Sequence, residues 1–220
     1  MSGEARPRQP DSQTAAVVVE ERGALAVVRL ARPARRNPLS VSTLEELDSA
    51  VASLVARADV RALVFTGAGD VFASGADIRE LQQLTPGSAR EFALRGQRLM
   101  RKIADAPQLT VAAVNGYCMG GGLDLALACD LRVASSSAVF AHPGARLGII
   151  TGWGGTQRLP RVVGAARALE MFATARRLTS GEAFDIGLVS RVCDPALDCA
   201  IELAQSVATS TSDQQHNVSS

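Results

Sequence analysis

Asn115-Gly116-Tyr117-Cys118-Met119-Gly120-Gly121-Gly122-Leu123-Asp124-Leu125-Ala126-Leu127-Ala128-Cys129-Asp130 is the stretch on which the reading of this chain turns. A strand-like run, Leu109 to Val114, enters it, and a helix-like run, Leu123 to Ala128, leaves it. Between them lie three successive glycines, with Asp124 in the first helical turn. Such a junction aims bare backbone N–H groups at one point, and the helix dipole adds partial positive charge there. Glycine removes the Cβ that would hold a ligand atom off. An oxyanion can be stabilised in this way without a metal or a cationic side chain.

Outward from that junction, strands and helices alternate. Val17 to Val19 and Leu25 to Leu30 read as a hairpin, and two prolines, Pro33 and Pro38, mark the loop that follows. Leu44, Leu47, Val51, Leu54 and Val55 recur at helical spacing behind a Ser42/Glu45 capping box. Ala62 to Thr66 reads as a buried strand. Phe72-Ala73-Ser74-Gly75-Ala76-Asp77-Ile78 is a second glycine-containing turn opening a short helix. Ser88/Glu91 caps the next helix, and Pro107 ends it. Leu131 to Ala134 is a strand, and 140–156 is irregular. Ala165 to Ala175 is a helix, Thr179/Glu182 is a third capping box, Val189 to Val192 is a strand, and Ala196 to Val207 is the last helix. This alternation predicts α/β architecture with mostly parallel pairing, with ligands at the carboxyl ends of strands. The domain boundaries expected are a disordered segment over 1–14, one domain over 15–207 and a disordered tail over 208–220.

Bulk properties narrow the function. The 220 residues carry a formal net charge of +1, so no global field recruits nucleic acid or an acidic membrane. Apolar residues make up 47% and aromatics 4%, which predicts an aliphatic core. No apolar run approaches the roughly 18 residues of a membrane helix, and Met1 to Ala16 does not read as a signal peptide. Cys118, Cys129, Cys193 and Cys199 form no C-x-x-C pair, and His142 and His216 are the two histidines. Isolated, mostly buried thiols and no metal site are therefore expected, in a reducing cytoplasm. The dinucleotide fingerprint, the phosphate loop and the nucleophile elbow all fail on residue identity.

The chain resembles the crotonase, or enoyl-CoA hydratase/isomerase, superfamily from about Val17 to about Leu203. The resemblance rests on Leu30-Ala31-Arg32-Pro33 with Asn37-Pro38-Leu39, on the Phe72 to Ile78 turn and on Ala112-Ala113-Val114-Asn115-Gly116 running into the triple glycine. It continues through Leu147-Gly148, Gly154-Gly155-Thr156-Gln157-Arg158-Leu159 and Gly187-Leu188-Val189. It implies an α/β, crotonase-like spiral of repeated β-β-α units, here with the C-terminal helical part short or missing. It implies an acyl-CoA thioester as substrate, with no further cofactor, and a homo-oligomer, trimer or hexamer. By resemblance, the thioester oxygen sits between the backbone N–H groups of Ala76 and Gly121, the two turns that glycine spacing marks independently. Ala76, Asp77, Ile78, Arg79, Arg35, Gly120, Gly144 and Trp153 are the expected substrate-binding positions, with the basic loop Arg32, Arg35 and Arg36 facing the anionic end of CoA.

Departures from the family pattern set the chemistry expected. The position of the first hydratase glutamate holds Asp124, one methylene shorter; that of the second holds Gly144, which cannot move a proton. Asp124 is thus the single catalytic carboxylate, and one-carboxylate isomerisation is easier to defend than efficient hydration. The alternative is a catalytically silent acyl-CoA binder. His142 reads as a packed or hydrogen-bonded loop histidine, and Trp153 either as narrowing the acyl pocket or as core.

Overall fold

The computed structural model describes residues 15–216. Its elements run β1 (Val17–Arg22), β2 (Leu25–Leu30), β3 (Pro38–Leu39), α1 (Val41–Val55), β4 (Ala62–Gly67), β5 (Val71–Ala73), β6 (Gly75–Ala76), α2 (Ile78–Leu81) and α3 (Pro86–Ala104). Then follow β7 (Leu109–Val114), β8 (Tyr117–Met119), α4 (Gly121–Ala128), β9 (Leu131–Ala134), β10 (Val139–Ala141), α5 (Gly155–Val163), α6 (Ala165–Thr174), β11 (Leu178–Thr179), α7 (Ser180–Asp185), β12 (Arg191–Val192) and α8 (Ala196–His216).

A six-stranded sheet has the order β1-β2-β4-β7-β9-β12, and a four-stranded sheet the order β11-β10-β8-β5. The chain visits them in turn. Strand β4 enters the first sheet, β5 the second, and helices follow. The pairs β7–β8 and β9–β10 repeat the step before α4 and α5. This is the β-β-α spiral anticipated from the sequence. Neighbours β2, β4, β7 and β9 pair in parallel, with β1 antiparallel at one edge.

The first sheet is buried on both faces, as parallel sheets require. Leu63 and Phe65 of β4 join one core with Leu47 of α1, Leu99 of α3 and Leu123 of α4. Their neighbours Ala62 and Val64 face the other way, onto Ala196, Ala200 and Ala204 of α8. The period of two along β4 thus assigns its side chains to two layers.

Two asparagines fix the loop between β4 and β5. Asn37, left-handed at φ 47°, donates from Nδ2 to the carbonyls of Ala68 (3.1 Å) and Val71 (2.6 Å). Asn115 accepts at Oδ1 from the Gly67 N–H (3.0 Å) and donates from Nδ2 to the Gly69 carbonyl (2.8 Å). The triple glycine divides its labour. Gly120 takes φ 51° at the turn, whereas a Cβ on Gly122 would collide with the backbone of Ala73, so α4 lies directly on β5.

Several local expectations are corrected. Helix α1 is capped by Ser40, whose Oγ accepts from the Thr43 N–H (3.2 Å), rather than by Ser42. Helix α3 is capped by Thr85 with Ser88 in the reciprocal position, rather than by Ser88 and Glu91. In both cases two hydroxyls compete within one turn, and the strand or loop before the helix decides. The Thr179/Glu182 box is found as expected. The stretch 140–156, expected to be irregular, holds β10, a 3-10 turn at Pro143–Leu147 and the start of α5. Helix α8 continues to His216, so the tail expected to be disordered from 208 is helical that far. No glycine or proline interrupts that stretch, and extending a docked helix avoids the cost of a new nucleus. Residues 1–14 and 217–220 lie outside the described residues. Cys193 and Cys199, expected to be separate thiols, form a disulfide with Cα atoms 6.6 Å apart; Cys118 and Cys129 are free and buried. Among the described residues no helix is long and apolar enough to cross a membrane, and no three-residue cluster of metal-ligating side chains occurs.

Candidate active site

The turns at Gly75 and Gly121 meet: a Cβ on Gly75 would stand 3.1 Å from the Gly121 nitrogen. Strands β3 and β6 pair in parallel, Pro38 with Gly75 and Leu39 with Ala76. Pro38 has no N–H, so Gly75 and Leu39 carry the bonds of this short ladder, and the next amide, that of Ala76, faces away from β3. On the other side, the first bond of α4 is from the Asp124 N–H to the Gly120 carbonyl (3.0 Å). The N–H groups of Gly121, Gly122 and Leu123 precede it and have no partner within the helix.

Beside these turns lies a cavity of about 250 Å³. Ala76, Ile78, Gly120, Gly121, Asp124, Gly144 and Trp153, seven of the expected site residues, line it together. Its wall is otherwise largely apolar, with Leu81, Phe92, Ile149 and Ile150 contributing. Trp153 is 4% exposed and packs on Phe92, with ring centroids 5.4 Å apart.

The expected residues Asp77, Arg79 and Arg35 form a separate cluster, whose Asp77 sits between the cavity residues Ala76 and Ile78. Arg79 grips Asp77 at both oxygens (Nε to Oδ1 3.2 Å, Nη2 to Oδ2 2.9 Å), and Arg35 approaches Oδ2 at 3.5 Å. Asp77 also caps α2 by accepting from the Arg79 N–H (3.0 Å). The Arg79 side-chain hydrogen bonds, opposed by burial, hold the Asp77 carboxyl below the usual range. Both guanidiniums are thus held in place while much of each remains exposed.

Asp124 is the carboxylate inside the cavity. It is 1% exposed, on the first turn of α4. The hydroxyl of Thr151 donates to its Oδ2. Nε2 of His142 stands 3.3 Å from its Oδ1, and His142 is itself 3% exposed, with its ring 5.0 Å from that of Phe172. The start of α5 closes the group, since a Cβ on Gly155 would collide with Asp124 Oδ1. The N-terminus of α5, the positive end of its dipole, therefore lies against the carboxylate. Sequence reading foresaw His142 as packed, which it is, but missed that it packs against Asp124. Thr151 was missed altogether. No local signal could have found these neighbours, because α4, β10 and the loop before α5 converge only in the fold.

Gly144 lies in the cavity wall, where the sequence lacks a second acid. A Cβ there would stand 2.5 Å from the Ile149 carbonyl oxygen, and the Ile149 N–H donates to the Gly144 carbonyl (3.0 Å). The loop has closed over the position that a side chain would need.

The family profile for enoyl-CoA hydratase/isomerase matches residues 20–219. A short-chain-enoyl-CoA hydratase from Clostridium acetobutylicum is 38% identical over 196 residues, covering 88% of this chain and 75% of that protein. A crotonyl-CoA hydratase from Syntrophomonas wolfei is 43% identical over 180 residues, covering 81% and 69%. Among solved structures, an enoyl-CoA hydratase from Bacillus anthracis superposes with a TM-score of 0.85 at 36% identity, covering 88% of this chain and 77% of that one.

Proposed function

Because this chain belongs to the enoyl-CoA hydratase/isomerase family, and is an acyl-CoA-handling enzyme of it, we propose that it moves a double bond along a short enoyl-CoA through an enolate, using Asp124 as its single proton carrier. The thioester oxygen would lie between the N–H groups of Ala76 and Gly121. Two such donors on a growing negative charge are worth on the order of 3 kcal/mol each. Asp124 takes the proton from the carbon next to the thioester, and the C–H electron pair moves into the enolate. The same carboxyl returns a proton two carbons further on, and the double bond shifts. The overall reaction needs no water, oxidant or metal.

The observation that carries this reading is the position of Asp124 in a cavity shared with both amide turns and with a Gly144 whose side-chain space is closed. Hydration by two acids needs a second carboxylate over the same carbon pair. The nucleotide end of CoA would run toward Arg35 and Arg79, guanidiniums already oriented by Asp77. We place the enzyme as a homo-oligomer, and exposed Ile150 (68%) and Leu169 (67%) support contact between copies.

The test compares a short 3-enoyl-CoA with crotonyl-CoA. Isomerisation is expected to exceed hydration by about tenfold or more in kcat/KM, and Asp124→Ala to abolish it. Robust crotonyl-CoA hydration that survives Asp124→Ala would overturn the reading.

A further inference from the structure

Two buried polar atoms beside the cavity, Asp124 Oδ1 and His142 Nε2, make no hydrogen bond of good geometry, and they stand 3.3 Å apart. Buried polar atoms without partners are rare in native proteins. Their surroundings offer each little else. Phe172 packs on the imidazole at a tilt of 46°, Gly155 closes one side, and the buried Cys118 thiol is the further titratable group interacting with Asp124. Oδ2 already takes the Thr151 hydroxyl.

We propose that His142 is a positioning residue for Asp124: as the Nε2–H tautomer it donates to Oδ1 while Thr151 donates to Oδ2, holding the carboxylate fixed in the cavity wall. The inference deepens the single-carboxylate reading and rests on it for its catalytic meaning. It explains how one aspartate serves without a second acid. A carboxylate held by a donor at each oxygen keeps one orientation, and misplacement by about 1 Å can cost about a hundredfold. His142 does not change charge in the cycle; the proton shuttles between substrate carbon and Asp124.

The test needs no turnover for its first arm. The chain has two histidines, so a His216→Gln variant assigns the imidazole signals. In ¹⁵N spectra at neutral pH, His142 is expected as the Nε2–H tautomer, and Asp124→Leu is expected to change that pattern. An Nδ1–H tautomer, or a spectrum indifferent to Asp124→Leu, overturns the inference.

The second arm is kinetic. His142→Leu is expected to lower kcat by about tenfold to a hundredfold, with the Kd for butyryl-CoA, a saturated thioester, held within about threefold. His142→Gln, which keeps an N–H donor, is expected to recover most of that loss. Full kcat in His142→Leu overturns the inference. Should His142→Leu no longer bind butyryl-CoA, the tautomer decides. A wild-type enzyme with the expected tautomer but no isomerisation would sink the proposed reaction and leave the pair standing.

Discussion

The indole of Trp153 occupies the space that a side chain on Gly121 would need: a Cβ placed there would fall against the ring. The same ring blocks a Cβ on Gly96 of α3. Trp153 therefore fits between α3 and α4 behind an amide proposed to bind the thioester, and the two glycines are cut to its shape. Gly121→Ala is expected to displace either the indole or the turn. Either way kcat should drop about a hundredfold or more, by loss of one donor. Wild-type kcat in Gly121→Ala would remove that amide from the mechanism.

Trp153 also lines the cavity. Trp153→Leu should raise the ratio of kcat/KM for an eight-carbon over a four-carbon acyl-CoA by about tenfold, since a few methylenes in an apolar pocket decide selectivity on that scale. Loss of packing on Phe92 should cost about 2–4 kcal/mol of stability. Both are read from acyl-chain kinetics and urea unfolding. An unchanged ratio in a folded variant would show that another wall sets chain length.

Restoring the family's second acid by Gly144→Glu is not expected to restore hydration. The new Cβ meets the Ile149 backbone, which no rotamer can avoid. Overpacking of this kind costs about 1–3 kcal/mol. A fall in the urea midpoint without gain in crotonyl-CoA hydration is the expected result, and a gain would show that the loop opens readily.

Thr151→Val removes the hydroxyl on Asp124 Oδ2 while keeping its shape. A loss of about tenfold in kcat is expected, against about a thousandfold for Asp124→Asn. Equal losses would mean that Thr151 does more than orient the carboxylate.

Burial pushes the Cys129 thiol up to about 12 and the Cys118 thiol well above its ordinary value, with Asp124 adding to the latter. In the unfolded chain both ionise near pH 8.5. Their contribution to stability is therefore complete below about pH 8.5 and is lost as pH rises toward 12, because only the unfolded thiols release protons. Native protein should resist iodoacetamide at Cys118 and Cys129 at pH 8, and the urea midpoint should fall between pH 8 and 10. Cys129→Ala should make that fall shallower. Rapid alkylation of either thiol in native protein would contradict the burial.

Much of this fold can be read from sequence where local and global signals agree. Leu131–Ala134 is the expected strand to the residue, and the Thr179/Glu182 box caps the expected helix. Helix α5 was missed because it begins at Gly154-Gly155, without a capping side chain, and holds Pro160 within it. Its amphipathic stripe is short, and its start is fixed by tertiary contact with Asp124. The site divides in the same way. Ala76, Gly121 and Asp124 announce themselves through glycine spacing and helix position. His142 and Thr151 sit on an irregular connection whose course depends on α4 and α5 already being in place.

Asn37 and Asn115 both clasp the β4–β5 loop. That loop carries no chemistry, yet one clasp lies one residue before β3, which pairs with Ala76, and the other two residues before β8 and the turn at Gly121. The approaches to both amide-bearing turns are thus tied to one connecting segment. Substitutions at Asn37 or Asn115 would detune an enolate binder from a distance, in the manner of a loosened caliper.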